Sequence, residues 1–246
     1  MKIAILALSL AYAVMNLITY LLDRGKPTIL FLGDSVTEAK IDYTLWHPYT
    51  LSRYAYAYKM PFYHEALYAH GGWCRLVGEK RNFNWYNAGS GGATIAESGK
   101  PNSIVRRLKS LLQFKTFDYI IINGGINDLH YNHWMGDDNR YTIHALEDIC
   151  KTLNKVKKEK NTKVGFIIPY MTGRHPAEMS YYGDRMRDVC AAYGIPYLDL
   201  RTETCVRLDT EEGVKKYGIA GKDKQHCNEE AYQILAERID RWIDEL

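Results

Sequence analysis

The sequence predicts an α/β fold, a three-layer α/β/α sandwich with a central parallel sheet of about five strands. Short apolar segments rich in β-branched residues alternate with amphipathic segments along residues 27–246. Alternating strands and helices form parallel sheets that helices cover on both faces. At 246 residues the chain suits one such domain with a large core.

The strands and helices can be assigned in order along the chain. Segments with the pattern of buried strands are Thr28–Leu32, Trp85–Asn87, Tyr119–Asn123, Val164–Pro169 and Pro196–Leu200. Segments with helical spacing of apolar residues are Gly72–Glu79, Ser103–Gln113, Tyr141–Lys158, Ala177–Tyr193 and Asn228–Ile243. Asn228 is of a residue type that caps helix amino termini, so it predicts where the last helix begins.

Polar or glycine-rich turns follow the first three predicted strands. Gly33 ends the first strand, and Ser35 lies on the turn beyond it. The second strand leads into a glycine-rich stretch that contains Gly92, and glycines let backbone N–H groups approach a ligand. The third strand opens into a glycine turn that bears Asn127. Because such sheets build their sites at the carboxyl ends of the strands, we expect these groups to converge there.

A fourth polar group, Asp223-Lys224-Gln225-His226, directly precedes the last predicted helix. Each short motif has an ordinary explanation when taken alone. Asp34 and Ser35 can cap a helix, and Asn127 can be a turn asparagine. Taken together, the four groups indicate a functional site, since each lies just after a predicted strand or just before a predicted helix.

These four blocks, in this order and at these spacings over residues 28–243, resemble the SGNH hydrolases, also called the GDSL esterase/lipase family. The resemblance implies a flavodoxin-like fold and a serine esterase that needs no metal or organic cofactor. It implies that Ser35 is the nucleophile, that His226 is the general base, and that Asp223 is the acid of the triad. It also implies an oxyanion hole formed by the backbone of Ser35 and Gly92 and the side chain of Asn127.

The chain departs from the family pattern at two positions. Val36 stands where the family commonly has leucine after Gly-Asp-Ser, and Cys227 replaces the usual proline after the histidine. Neither carries a reacting atom, so both bear on subfamily and substrate. We also expect Asp34 to cap the turn after Ser35 and Asp128 to brace the Asn127 loop.

The predicted function is hydrolysis of carboxylic esters, with short-acyl (acetyl) esters of a carbohydrate as the expected substrate. An insertion rich in aromatic residues, at about 39–70, lies between the first strand and the first long helix. Its rings could stack on sugars or line an acyl groove, or they could pack the segment onto the domain. One alternative is a lipase, lysophospholipase or thioesterase. Another, of a different class, is a non-catalytic carbohydrate- or lipid-binding domain on the same fold.

Charge and cysteine content narrow the partners further. The formal net charge of the chain is only +3, and the sequence contains no basic stripe that could neutralise phosphates. Both observations argue against nucleic acid as a partner. We interpret the lysine cluster at 155–160 as a solvated helix end. The five cysteines are odd in number and lack metal-ligand spacing, and three of them lie on predicted helices as core residues. Pairing of Cys205 with Cys227 in an oxidising compartment stays open.

The amino-terminal segment, residues 1–26, predicts a leader that exports the protein or anchors it in a membrane. Residues 3–22 are almost continuously apolar, and twenty residues are enough for a membrane span. Ala11-Tyr12-Ala13 resembles a signal-peptide cleavage site, but cleavage there would leave an apolar mature end. We favour an uncleaved signal-anchor over a cleaved signal. An apolar helix packed on a cytoplasmic domain is the third possibility.

Overall fold

The computed structural model describes residues 25–38, 72–96, 103–131 and 142–246. The predicted leader segment 3–22 and the predicted aromatic insertion at about 39–70 lie outside these residues. Within the described ranges, no helix is both long and apolar enough to cross a membrane.

A single parallel sheet forms the centre of the described domain. Its strands are β1 (Thr28–Gly33), β2 (Asn84–Gly89), β3 (Tyr119–Asn123), β4 (Lys163–Ile168) and β5 (Tyr197–Asp199). They lie in the order β2-β1-β3-β4-β5, and all neighbouring pairs are parallel. The interior of β1, Ile29 to Leu32, is fully buried, as expected for a strand covered on both faces. The predicted α/β fold with about five parallel strands is confirmed.

Eight helices occur in the described residues. They are α1 (Ser35–Glu38), α2 (Gly72–Lys80), α3 (Ile104–Phe114), α4 (Ile126–His130), α5 (Thr142–Lys160), α6 (Pro176–Ala192), α7 (Glu211–Tyr217) and α8 (Glu229–Ile243). The five longest match the predicted helices. The other three, α1, α4 and α7, are too short to give a helical repeat of apolar residues, so the sequence pattern did not reveal them. Asn228 caps α8 as predicted, because its side chain accepts a hydrogen bond from Ala231 N at 3.1 Å.

The helices form two layers, one on each face of the sheet. Helix α2 packs against α8, while α5 packs against both α3 and α6. Gly165 in β4 lets α8 approach closely, because a Cβ atom at this position would overlap the ring of Trp242. Strand β1 lies between β2 and β3, so the loops that follow β1 and β3 are neighbours at the carboxyl edge of the sheet. This reversal of strand order is where open α/β sheets place their sites.

The cysteines are all unpaired in the structure. Cys74, Cys150 and Cys190 are buried, in agreement with the prediction that they are core residues. Cys205 is exposed with its Sγ 3.5 Å from the Tyr217 hydroxyl, and Cys227 is buried. The pairing of Cys205 with Cys227 that the sequence left open is therefore not formed.

Candidate active site

Ser35 is the first residue of α1 and directly follows the carboxyl end of β1. Asp34 caps this short helix, since its Oδ1 accepts a hydrogen bond from Val36 N at 2.9 Å. Glycine is required at position 33, because a Cβ atom there would overlap Thr37 Oγ1 and the Asn123 carbonyl oxygen. The tight turn presents the partly buried Ser35 side chain at the edge of the sheet.

His226 lies beside Ser35, with its Nε2 2.9 Å from the serine Oγ. On the other side of the ring, Nδ1 lies 2.9 Å from Asp223 Oδ2. Burial raises the pKa of Asp223, but hydrogen bonds from His226 and Gln225 outweigh it, and the net pKa lies below the ordinary value. Asp223 is therefore ionised at neutral pH and accepts a hydrogen bond from the Nδ1–H of His226. The neutral imidazole then has no proton on Nε2, which is left to accept a hydrogen bond from the Ser35 hydroxyl.

Contacts from two other segments hold the loop that carries Asp223 and His226. The Tyr170 hydroxyl, just beyond β4, donates to the Gln225 carbonyl at 2.8 Å. Gly173 N donates to the Lys224 carbonyl at 2.9 Å, and Ile219 N donates to the His226 carbonyl at 3.1 Å. The position of the imidazole is thus fixed by the sheet and by the segment after α7.

Asn127 lies in the first turn of α4, just beyond β3, and its side chain reaches the loop that follows β2. Its Nδ2 donates to the Ala93 carbonyl at 3.0 Å, which leaves the second amide hydrogen for another acceptor. The same loop is tied to the end of β1, where Ser90 N donates to the Gly33 carbonyl at 3.1 Å. The loops after β1, β2 and β3 are therefore joined to one another by hydrogen bonds.

Two backbone amides of these loops are unengaged. Within the described ranges, neither the Ser35 N–H nor the Gly92 N–H has a hydrogen-bond acceptor. Gly92 has a φ of 73°, in the left-handed region that glycine adopts without strain. These amides are available to an external anion or carbonyl oxygen.

Asp128 connects the Asn127 helix to the loop after β2. Its carboxylate accepts hydrogen bonds from Ile95 N at 2.8 Å and Ala96 N at 2.9 Å. It thus braces the loop that carries Gly92, whereas we expected it to brace its own loop. Burial raises the pKa of Asp128 to about 7, against the opposing effect of these hydrogen bonds.

A buried arginine that the sequence did not single out lies beneath the serine turn. The Arg107 guanidinium, on α3, donates to the carbonyls of Gly33 and Ala88 at the ends of β1 and β2. Burial raises the pKa of nearby Asp34 to about 7, although the Val36 N–H and the charges of His226 and Arg107 lower it. A sequence signal did exist, since position 107 falls on the apolar face of α3, where a charged residue needs buried partners.

The arrangement combines a hydroxyl, an imidazole hydrogen-bonded to it, and a carboxylate that orients the imidazole. Acyl transfer to a serine can be carried out by these three groups together with hydrogen-bond donors for the developing oxyanion. No group of three or more His, Cys, Asp or Glu side chains that could hold a metal ion occurs among the residues the structure describes.

Comparison with known proteins identifies the family of the chain. The sequence pattern of the GDSL-like Lipase/Acylhydrolase family matches residues 31–234, which include all four predicted blocks. No curated protein matches the chain.

Solved structures share the fold at low sequence identity. A protein from Lactobacillus plantarum is 17% identical with a TM-score of 0.66, covering 89% of this chain and 97% of its own. An acetyl xylan esterase is 19% identical with a TM-score of 0.58, covering 89% of this chain and all (100%) of its own. A lipase/acylhydrolase from Enterococcus faecalis is 20% identical with a TM-score of 0.54, covering 89% of this chain and 96% of its own. At these identities the likeness shows the fold alone.

Proposed function

Since the chain belongs to the GDSL-like lipase/acylhydrolase family and is an ester-bond hydrolase, we propose that it hydrolyses carboxylic esters through Ser35, His226 and Asp223. The observation that carries this proposal is the continuous pair of 2.9 Å contacts from Ser35 Oγ through the His226 ring to Asp223. These distances fall within hydrogen-bond reach for a nucleophile, its base and the group that orients the base.

The reaction follows from these contacts. His226 Nε2 takes the proton of the Ser35 hydroxyl as Oγ attacks the ester carbonyl carbon. Asp223 stabilises the imidazolium that forms. When the tetrahedral intermediate collapses, the C–O bond to the alcohol breaks and His226 protonates the leaving oxygen. Water then attacks the acyl-enzyme with His226 again as base, which releases the carboxylic acid and restores Ser35.

The oxyanion is bound by the N–H groups of Ser35 and Gly92 and by the Asn127 side chain. Support for this role comes from the two backbone amides, which have no acceptor among the described residues, and from the second amide hydrogen of Asn127. Donors that are already held in place need no reorganisation when negative charge develops on the carbonyl oxygen.

The proposed substrate is a short-acyl, in particular acetyl, ester of a carbohydrate. One structural neighbour is an acetyl xylan esterase, and the sequence at 39–70 is rich in aromatic residues suited to sugar rings. Hydrolysis of long-chain esters, lysophospholipids or thioesters is the alternative within hydrolases. A non-catalytic carbohydrate- or lipid-binding domain is the alternative outside them.

A labelling experiment tests the catalytic proposal. A fluorophosphonate probe should attach to Ser35, as mapped by peptide mass spectrometry, and Ser35→Ala should lose both labelling and ester hydrolysis while keeping the far-UV CD spectrum. Ser180→Ala, an exposed serine on α6, is the matched control and should keep both. Turnover near that of the wild type in Ser35→Ala would contradict the assignment of Ser35 as the nucleophile.

A substrate panel tests the acyl and alcohol preference. p-Nitrophenyl esters of rising acyl length and acetylated xylo-oligosaccharides should be compared by kcat/KM. We expect the acetyl esters to be fastest and the values to fall with acyl length. A maximum at long acyl chains would favour the lipase alternative.

A further inference from the structure

A group of lysines surrounds the amino-terminal edge of the sheet, opposite the edge that bears Ser35. Lys155, Lys157, Lys158 and Lys160 lie in the last turns of α5, and Lys115 directly follows α3. We call these five residues the basal patch. The four lysines of α5 are exposed and form no ion pair within the described ranges.

An exposed aromatic residue adjoins the basal patch. Phe114, the last residue of α3, is 82% exposed. It lines a surface groove together with Thr28, Lys115 and Lys160. A second groove, of about 330 Å³, lies between Lys115, Lys155 and Lys160. The aromatic ring, the lysines and the start of β1 are therefore close together on one face.

The sequence before β1 connects this face to the apolar leader. Only five residues, 23–27, separate the apolar segment 3–22 from Thr28. Five extended residues span at most about 18 Å. If the apolar segment enters a bilayer, as the sequence predicts, the start of β1 lies within about that distance of the hydrocarbon core. The headgroup layer alone occupies about 5–8 Å of it.

We propose that the basal patch and Phe114 dock on the headgroups of an anionic lipid bilayer. The four lysines of α5 face the negatively charged phosphates, and the Phe114 ring enters the interface between headgroups and acyl chains. Lys115 adds its charge from the side, because its Nζ donates to the Tyr86 hydroxyl. Each lysine near an anionic surface strengthens binding about fivefold, and the attraction decays within a Debye length of about 8–10 Å. The edge that bears Ser35 then faces away from the lipid, about 20 Å across the sheet, at the rise of a six-residue strand.

Acidic side chains near the patch do not cancel its charge. Asp118 Oδ2 accepts hydrogen bonds from the backbone and side chain of Thr28, and Asp118 counts as one negative charge beside the five lysines. Glu159 is the one acidic residue in the last turns of α5. The face keeps a net positive charge, whereas the whole chain carries only +3.

Lysine acetylation of the full-length chain tests the proposal. The chain should be mixed with phosphatidylcholine vesicles with and without phosphatidylglycerol, then treated with a water-soluble N-hydroxysuccinimide acetate and mapped by mass spectrometry. We expect acetylation of Lys157, Lys158 and Lys160 to be slower on the anionic vesicles than on the neutral ones, because bound lysines are shielded from the reagent. Lys222 and Lys224, on the Ser35 side and exposed, serve as internal references and should be acetylated at an unchanged rate.

A charge-neutralised variant separates the basal patch from the leader. The triple variant Lys157→Gln, Lys158→Gln, Lys160→Gln should lose the effect of phosphatidylglycerol on the acetylation of Lys155 and Lys115. The control Lys215→Gln, Lys222→Gln removes charge elsewhere and should keep it. Equal acetylation of the patch on both kinds of vesicle, or equal slowing at Lys224, would overturn the proposal and leave the lysines as a solvated helix end.

Discussion

Asp223 contacts His226 through both of its carboxylate oxygens. Oδ2 lies 2.9 Å from the imidazole Nδ1, and Oδ1 accepts the backbone N–H of His226 at 2.9 Å. Oδ1 also accepts the N–H of Gln225 at 2.7 Å. One carboxylate therefore fixes the turn of the loop and the orientation of the ring, and substitutions can separate these two tasks.

The first prediction separates them with two variants of Asp223. Asp223→Asn keeps an oxygen for the backbone N–H groups but turns an amide N–H toward Nδ1, which favours the wrong tautomer. Asp223→Ala loses both contacts. We expect turnover to fall by about three to four powers of ten in Asp223→Asn, with the melting temperature nearly unchanged. Asp223→Ala should lose similar turnover and also melt at a lower temperature.

His226→Ala should be less active than either Asp223 variant, by about ten- to a hundredfold, because it removes the base itself. Steady-state kinetics on one p-nitrophenyl ester, with thermal unfolding of each variant, measure both effects. Lys224→Ala, the exposed neighbour, is the control. An Asp223 variant as inactive as His226→Ala would mean that the carboxylate does more than orient the ring.

The second prediction concerns Asn127. Asn127→Ala should lower kcat by about two to three powers of ten with little change in KM, because an oxyanion donor acts mainly in the transition state. Loss of the contact to the Ala93 carbonyl adds a small loss of stability, on the order of 1 kcal/mol, which urea unfolding measures. A raised KM with unchanged kcat would instead identify Asn127 as a substrate-binding residue.

The residues at strand ends could be predicted from the sequence because their positions follow from local patterns. Ser35 and Asn127 each come directly after an apolar strand, and parallel strands bring such positions to one edge. Arg107 could not be identified with equal ease, since its partners are backbone carbonyls on two strands distant in sequence. The same holds for Tyr170, whose hydroxyl reaches the Gln225 carbonyl 55 residues away and has no local signal.

The third prediction is that Asp128 positions the oxyanion donors. Asp128→Asn leaves one side-chain oxygen, which can accept a hydrogen bond from only one of the backbone N–H groups of Ile95 and Ala96. The amide NH₂ of the asparagine then faces the second N–H group, so two donors point at each other. A buried donor without an acceptor costs about 1–3 kcal/mol, so the variant should be less stable by that amount. Turnover should fall about ten- to a hundredfold as the Gly92 loop loosens, while KM stays within about threefold.

Combining Asp128→Asn with Asn127→Ala tests whether the two residues act on the same step. If Asp128 acts through the loop that Asn127 also contacts, the two losses of turnover should be less than additive. Additive losses would mean that Asp128 affects turnover independently of Asn127.

The fourth prediction concerns the pH dependence of stability. Burial raises the pKa of Asp34 from its ordinary 3.8 to about 7, so the folded protein holds this proton at pH values where the unfolded chain has released it. Between about pH 4 and pH 7, folding therefore takes up a proton. The contribution of Asp34 to the free energy of unfolding is largest below pH 4 and is lost as the pH rises to about 7. Asp128 contributes in the same direction.

Asp34→Asn removes the titrating group and keeps the helix cap, since an asparagine oxygen can accept from Val36 N. The free energy of unfolding in urea should fall from pH 5 to pH 8 in the wild type and fall less in the variant. Asp209→Asn is the control, because the pKa of Asp209 is shifted in the opposite direction to that of Asp34. The hydrogen bond from Arg207 lowers the pKa of Asp209, so its stabilising effect is lost only as pH falls below about 4. That control should keep the wild-type slope between pH 5 and pH 8, and an Asp34→Asn slope equal to it would exclude Asp34 as the source.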